Sequence, residues 1–265
     1  MKIAIIGCGN MGSCFAEKLG AFHHLFLHDR DSKWTEELAE QVGSIACPSL
    51  SDAVSEAEII ILAVKPQSFD ALAPLLAPLV KSGQIVISLL AGTLLSTLKE
   101  KLPNSTIARI MPNLAIKYGE GVVGIVDSPE LSEQIRKTIH ELLHPLGFLF
   151  WLQESLIDAL TALAGSGPAF ILAIIEAMTE AGVVMGLRAD DAEKLTLQMI
   201  QGCVAMVQRG KNHPAELRRQ IASPQGTTIA GLRMLEKKNV RSGLIETVLA
   251  SYQRAQELAL KSSTQ

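Results

Sequence analysis

A chain of 265 residues, 48% hydrophobic and 19% charged, has room for two domains and enough apolar side chains for sizeable cores, which argues against extensive disorder. A formal net charge of −3 with both signs interspersed, and an aromatic content of only 4%, offer neither a basic face nor stacking platforms for nucleic acid, and no footprint for an anionic membrane. Four cysteines, Cys8, Cys14, Cys47 and Cys203, lack metal-ligand spacing and the density of a disulfide scaffold, so a reducing cytoplasm is expected.

The chain opens on the apolar run 2–6, with no separate basic, apolar and cleavage regions of a secretory signal. Six residues, Gly7-Cys8-Gly9-Asn10-Met11-Gly12, follow it directly. A glycine-rich turn between a strand and a helix is how a dinucleotide pyrophosphate is held. Gly7 allows the sharp turn, Gly9 lets the backbone approach the phosphates, and Gly12 lets the helix pack near the sheet. Asn10 and Met11 begin that helix, whose free N–H groups and positive dipole end face the phosphates. A second strand, 25–28, ends at Asp29-Arg30, about 20 residues on, where an acidic residue meets the ribose. Asp29 favours the 2′-hydroxyl of NADH and Arg30 the 2′-phosphate of NADPH, and the sequence leaves both open.

Strand-length runs continue at 59–64, 85–90 and 106–110, nearly continuous in Ile, Val and Leu, as in parallel strands buried on both faces. The longest, 58–64 and 85–91, stop well short of the ~18–20 residues of a membrane span. Helical patterns at 11–21, 34–42, 69–80 and 94–102 separate them, with the run of acids at Glu36, Glu37 and Glu40 on a solvated face. Ala63-Val64-Lys65-Pro66, Ala91-Gly92 and Met111-Pro112-Asn113 all close strands on one edge, the edge where open α/β sheets bind ligands. Ala63, Val64, Lys65, Pro66 and Ala91 are therefore candidate cofactor contacts. Asn113 is placed to reach nicotinamide or substrate, although Lys65 taken alone reads better as a solvated strand end. A helix at 130–143 and strands at 121–126 and 148–152 complete a Rossmann-like, doubly wound α/β domain over residues 1–153.

Beyond residue 153 the strand signals stop, and helices are expected at 156–164, 169–185, 189–209, 214–221, 228–237 and 240–260, with a loose tail at 261–265. The stretch 169–185 is apolar nearly all round, which a small helical domain cannot bury alone. Residues 154–265 thus form an all-helical domain expected to self-associate as a homodimer or larger homo-oligomer. Ser223-Pro224-Gln225-Gly226-Thr227-Thr228 introduces one of its helices with N–H groups and three hydroxyls, a combination suited to a small carboxylate. Read alone, it is better explained as an ordinary helix start with a Ser or Thr cap.

Five motifs in this order, Gly7-Cys-Gly-Asn-Met-Gly12, Ala63-Val-Lys-Pro66, Met111-Pro-Asn113, Gly165-Ser-Gly-Pro-Ala169 and Ser223-Pro-Gln-Gly-Thr-Thr-Ile-Ala-Gly-Leu232, closely resemble the pyrroline-5-carboxylate reductase family along nearly the whole chain. The resemblance implies an NADPH- or NADH-dependent imine oxidoreductase that delivers hydride to the C=N bond of 1-pyrroline-5-carboxylate and gives L-proline. It implies that Ser223, Gly226, Thr227 and Thr228 hold the substrate carboxylate, that Thr228 bonds the ring nitrogen as the catalytic hydroxyl, and that Glu154 lies on the substrate side. It also implies helical domains that interlock between two subunits. Four positions depart from patterns seen in the family: Gln225 stands where a glycine is usual, Phe170 where a tyrosine is usual, Gln220 where an asparagine is common in animal relatives, and Asp29 is unlike the small polar residues of some NADPH-preferring members.

Other readings fit less well. A β-hydroxyacid dehydrogenase needs a catalytic lysine on the first long helix of its second domain, and residues 164–188 contain none. A sensor or scaffold protein is the reading from another class, and the presence of Thr228 and of the first glycine-rich turn speaks against it. No metal site is expected, since His140 and His144, four apart on one helix, have no evident third ligand.

Overall fold

The computed structural model describes residues 1–262. Its sheet comprises β1 (Lys2–Ile6), β2 (His24–His28), β3 (Ile45–Ala46), β4 (Ile59–Leu62), β5 (Ile85–Ser88), β6 (Thr106–Pro112), β7 (Gly121–Val126) and β8 (Gly147–Leu152). They lie side by side in the order β3-β2-β1-β4-β5-β6-β7-β8. The first six strands run parallel, β7 is antiparallel to β6, and β8 runs parallel to β7. The order reverses between β1 and β4, and such a switch point opens a crevice at the carboxyl ends of the strands.

Six helices cover the sheet: α1 (Asn10–Leu19), α2 (Ser32–Val42), α3 (Leu50–Val54), α4 (Pro66–Leu76), α5 (Leu95–Lys101) and α6 (Glu133–Leu143). Alternate strand residues feed two cores. Ile3 and Ile5 join Phe15 and Leu19 of α1 and Ile139 of α6, while Ala4 and Ile6 join Phe69 and Leu76 of α4 and Leu98 of α5. Both faces of the central strands β1, β4 and β5 are therefore dry, which is why these strands read as continuous apolar runs. The two-residue β3 and five-residue α3, within 43–58, were not expected; both are too short to show a period.

A 3₁₀ turn (Glu154–Leu156), the short helix α7 (Ile157–Leu160) and a π turn (Thr161–Gly165) stand where one helix over 156–164 was expected. Then follow α8 (Gly167–Val184), α9 (Ala189–Gly210), α10 (Pro214–Ile221), α11 (Thr227–Lys237) and α12 (Val240–Ser262). Residues 261 and 262, expected to be loose, continue α12, and the rest of the expected tail, 263–265, lies outside the described residues. The chain divides into two compact units, residues 1–165 with the chain from Ser251 onward, and residues 166–250.

Within the second unit α8 packs on α9, and Gly182 permits the approach, since a Cβ there would stand 2.9 Å from that of Ala192. Otherwise α8 is open: Gly182 is its one buried residue, and Val184 is 86% exposed. The expectation that no segment reaches membrane-spanning length is corrected here. The helical run Glu154–Val184 contains an 18-residue window of mean hydropathy 1.6, long and apolar enough to cross a bilayer by length and composition.

Candidate active site

Most of the candidate cofactor residues come together at the sheet's switch point. Gly7, leaving β1, has φ +100°, and a Cβ on it would meet the Ala63 carbonyl carbon and the Val64 nitrogen at 2.7 Å. A Cβ on Gly12 would stand 1.9 Å from the Gly7 carbonyl oxygen, so neither position admits a side chain. At Gly9 nothing lies within 4 Å, which leaves an open cradle over the start of α1. Gly9 is the N-cap of α1 and no side chain caps it, so Asn10, Met11 and Gly12 form a first turn whose N–H groups suit a phosphate.

Gly7, Gly9, Asp29, Arg30, Ala63, Val64 and Lys65 line one cleft of about 530 Å³, and Pro66 begins α4 beside it as the N1 residue. His28, Leu50, Gln67 and Ser68 line it too. These were missed in the sequence because they sit on helix starts and strand ends that carry no motif. A nucleotide fits this set: backbone and apolar walls, an open glycine cradle, two cations and one carboxylate.

Hydrogen bonds brace the glycine turn. The Cys8 N–H donates to Asp29 Oδ2 at 2.6 Å, and the Cys8 carbonyl accepts from the Trp34 indole Nε1 at 2.6 Å and the Ser13 hydroxyl at 2.9 Å. Burial, reinforced by the Asp29 carboxylate, pushes the Cys8 thiol up to about 12, which makes it an inert packing group.

Ala91 lies exposed in the turn between β5 and α5. Asn113 follows β6 with both ends of its amide engaged: Oδ1 accepts from the Val122 N–H at 3.2 Å and Nδ2 donates to the Ala164 carbonyl at 2.8 Å. Glu154 is likewise held within the first unit. Its Oε1 accepts from Arg109 Nη1 at 2.6 Å and from the Leu95 N–H at 2.7 Å. Arg109 is 1% exposed, with Nε and Nη2 unpartnered among the described residues. Sequence reasoning passed over Arg109; the signal was a lone guanidinium inside the apolar strand 106–112, which must have a partner to be buried.

Ser223, Gly226, Thr227 and Thr228 gather in the second unit at the start of α11. The N-cap is Gly226, with no side-chain cap bond, so the reading as an ordinary Ser- or Thr-capped helix does not hold. A Cβ on Gly226 would stand 2.3 Å from Ser223 Oγ, so the hydroxyl occupies the space that a side chain would take. Gln225 adopts φ 57°, the left-handed conformation that a glycine would take there without strain. Gln225 and Gly226 border a recess of about 580 Å³ that Arg218, Arg219 and Arg233 also line. Among the described residues no group of three metal-ligating side chains occurs.

A family described as pyrroline-5-carboxylate reductase dimerisation matches residues 154–258, and one described as NADP oxidoreductase, coenzyme F420-dependent, matches residues 2–92. The chain is 33% identical to the pyrroline-5-carboxylate reductase of Aquifex aeolicus, covering 97% of each, and 34% identical to that of Methanosarcina acetivorans, covering 98% of each. Among solved structures it is similar to the Plasmodium falciparum pyrroline carboxylate reductase with NADP bound, at 26% identity, 98% coverage of both chains and a TM-score of 0.89. It is similar too to the Coxiella burnetii enzyme, at 28% identity, covering 97% of this chain and 98% of that one, with a TM-score of 0.86. With relatives this similar along its whole length, and the glycine-capped helix starts standing where the motifs require them, the chain belongs to the pyrroline-5-carboxylate reductase family.

Proposed function

We propose that this chain reduces 1-pyrroline-5-carboxylate to L-proline with NADPH or NADH. The observation that carries the reading is the pair of helix starts at Gly9 and Gly226, each a glycine N-cap with no side-chain bond. One suits the cofactor pyrophosphate and the other the substrate carboxylate. The reduced nicotinamide, when bound, supplies hydride to the imine carbon. The chain's own residues do the rest. The first turn of α1, with Gly7, Gly9, Asn10, Met11 and Gly12, binds the pyrophosphate, and Asp29 or Arg30 meets the adenosine ribose. Ala63, Val64 and Lys65 wall the cleft, Pro66 and Ala91 carry the site on towards the nicotinamide, and Asn113 fixes the segment that follows β6.

Backbone N–H groups at the start of α11 and the hydroxyls of Ser223 and Thr227 hold the carboxylate. Thr228 hydrogen-bonds the ring nitrogen and keeps the cyclic imine oriented. A protonated imine is already electrophilic, so positioning carries most of the catalysis. Glu154 acts from the substrate side by fixing Arg109 and the start of α5.

The working form is a homodimer or larger homo-oligomer in the cytoplasm, built on residues 154–265. The open apolar α8 supports that reading, because a second copy would bury what the bilayer-length window exposes. Three buried thiols, Cys8, Cys14 and Cys47, are consistent with a reducing compartment. The test is loss of the near-ultraviolet absorbance of NADH and NADPH, each with and without the imine. Oxidation that depends on the imine and yields proline is the expected result, and none with either cofactor in a folded protein overturns the reading.

A further inference from the structure

The turn at the adenosine end of the cleft closes on itself. Asp29 Oδ2 accepts from the Cys8 N–H, and Asp29 Oδ1 accepts from the Asp31 N–H at 3.2 Å. Asp31 Oδ1 then accepts from the Trp34 N–H at 3.1 Å, and Trp34 Nε1 returns to the Cys8 carbonyl. These four bonds form a ring through Cys8, Asp29, Asp31 and Trp34 that ties the glycine turn to the start of α2. Two consequences follow for whatever meets the ribose. The Asp29 carboxylate, which lines the cleft, is held in place by two N–H donors and keeps its remaining lone pairs for a hydroxyl. The N-terminus of α2, the natural anion site beside it, is already capped by the carboxylate of Asp31.

From this ring we infer that the chain selects NADH over NADPH, with Asp29 the specificity-determining residue and Asp31 and Trp34 its positioning residues. A ribose 2′-hydroxyl donates to a fixed carboxylate acceptor. A 2′-phosphate would face that carboxylate and a helix end already filled by a second one. Arg30 lines the same cleft and opposes the selection, but it is exposed and flanked on both sides by carboxylates, so its attraction for a phosphate is screened. The inference rests on the reductase reading and adds to it a choice of cofactor.

Trp34 also provides the probe. The chain has two tryptophans, Trp34 and Trp151, so Trp151→Phe leaves the ring's indole as the only one, and its emission reports binding without turnover. Titrations with NADH and NADPH, repeated by calorimetry on the unaltered protein, are expected to give a dissociation constant for NADH at least about ten-fold lower, a difference of ~1.4 kcal/mol. Asp29→Asn, which keeps an amide oxygen for the Cys8 N–H but removes the charge, is expected to bring the two constants to within about three-fold. Equal or tighter binding of NADPH by the unaltered protein overturns the inference and leaves the reductase reading intact. So does a preference for NADH that Asp29→Asn does not change. Binding of neither cofactor, together with no imine-dependent oxidation, overturns both.

Discussion

Thr228 and Cys8 show how one position's surroundings decide its chemistry. Thr228 is partly exposed on the first turn of α11, two residues beyond an N-cap that no side chain closes, so its hydroxyl is available to a ligand. Thr228→Ala is expected to lower turnover of the imine by roughly 10²-fold, while the dissociation constant of the cofactor moves by less than about three-fold. Equal losses in both would remove its assigned role. Cys8, by contrast, is sealed in, with its thiol raised from 9.0 to about 12. Above pH 9 the unfolded chain releases this proton while the folded chain keeps it. Stability is therefore full below pH 9 and falls as pH rises towards 12, by up to ~1.4 kcal/mol per pH unit. Melting curves at rising alkaline pH should show a shallower decline in Cys8→Ala than in the unaltered protein, and identical slopes would acquit the thiol.

Among the elements, those that could be read from the sequence share one property: their side-chain pattern is set by burial. β1, β4 and β5 are closed on both faces, so their uninterrupted Ile and Val runs announce them, and α10 matches its expected bounds because Pro214 opens it. What stayed hidden depends on partners distant in sequence. The bond from Trp34 to Cys8 and the pair Arg109–Glu154, 26 and 45 residues apart, leave no local signature. The glycine motif marked the cofactor cleft because its spacing is set by sterics alone, whereas His28 and Ser68 line the same cleft without any such rule. Glu154 links three elements, the 3₁₀ turn it begins, β6 through Arg109, and the first residue of α5. Glu154→Ala leaves a buried guanidinium without its counter-charge, and a loss of about 3–5 kcal/mol is expected in denaturant unfolding. The Michaelis constant for the imine should then change by less than about three-fold in the protein that remains folded. A large rise in that constant with unchanged stability would place the carboxylate on the substrate itself.

For the molecule as a whole, the exposed apolar length of α8 is the feature that one chain cannot accommodate. Leu172, 62% exposed, stands amid it. Leu172→Asp should lower the mass measured by light scattering towards that of a single chain and remove activity with it, since a buried unpaired charge costs several kcal/mol. An unchanged mass would move the self-association surface elsewhere.

The two glycine N-caps have a consequence for the life of the protein in a cell. A Ser or Asp at Gly9 would add roughly a few tenths of a kcal/mol to the helix it begins, whereas at Gly226 a Cβ would stand 2.3 Å from Ser223 Oγ. Ligands that occupy those open helix ends stabilise the folded state by mass action, so the loaded protein unfolds less often than the empty one. Proteases act on the unfolded fraction, and a change of 1–2 kcal/mol alters abundance several-fold. The steady-state amount of this protein would then follow the supply of its own ligands, with no regulator involved.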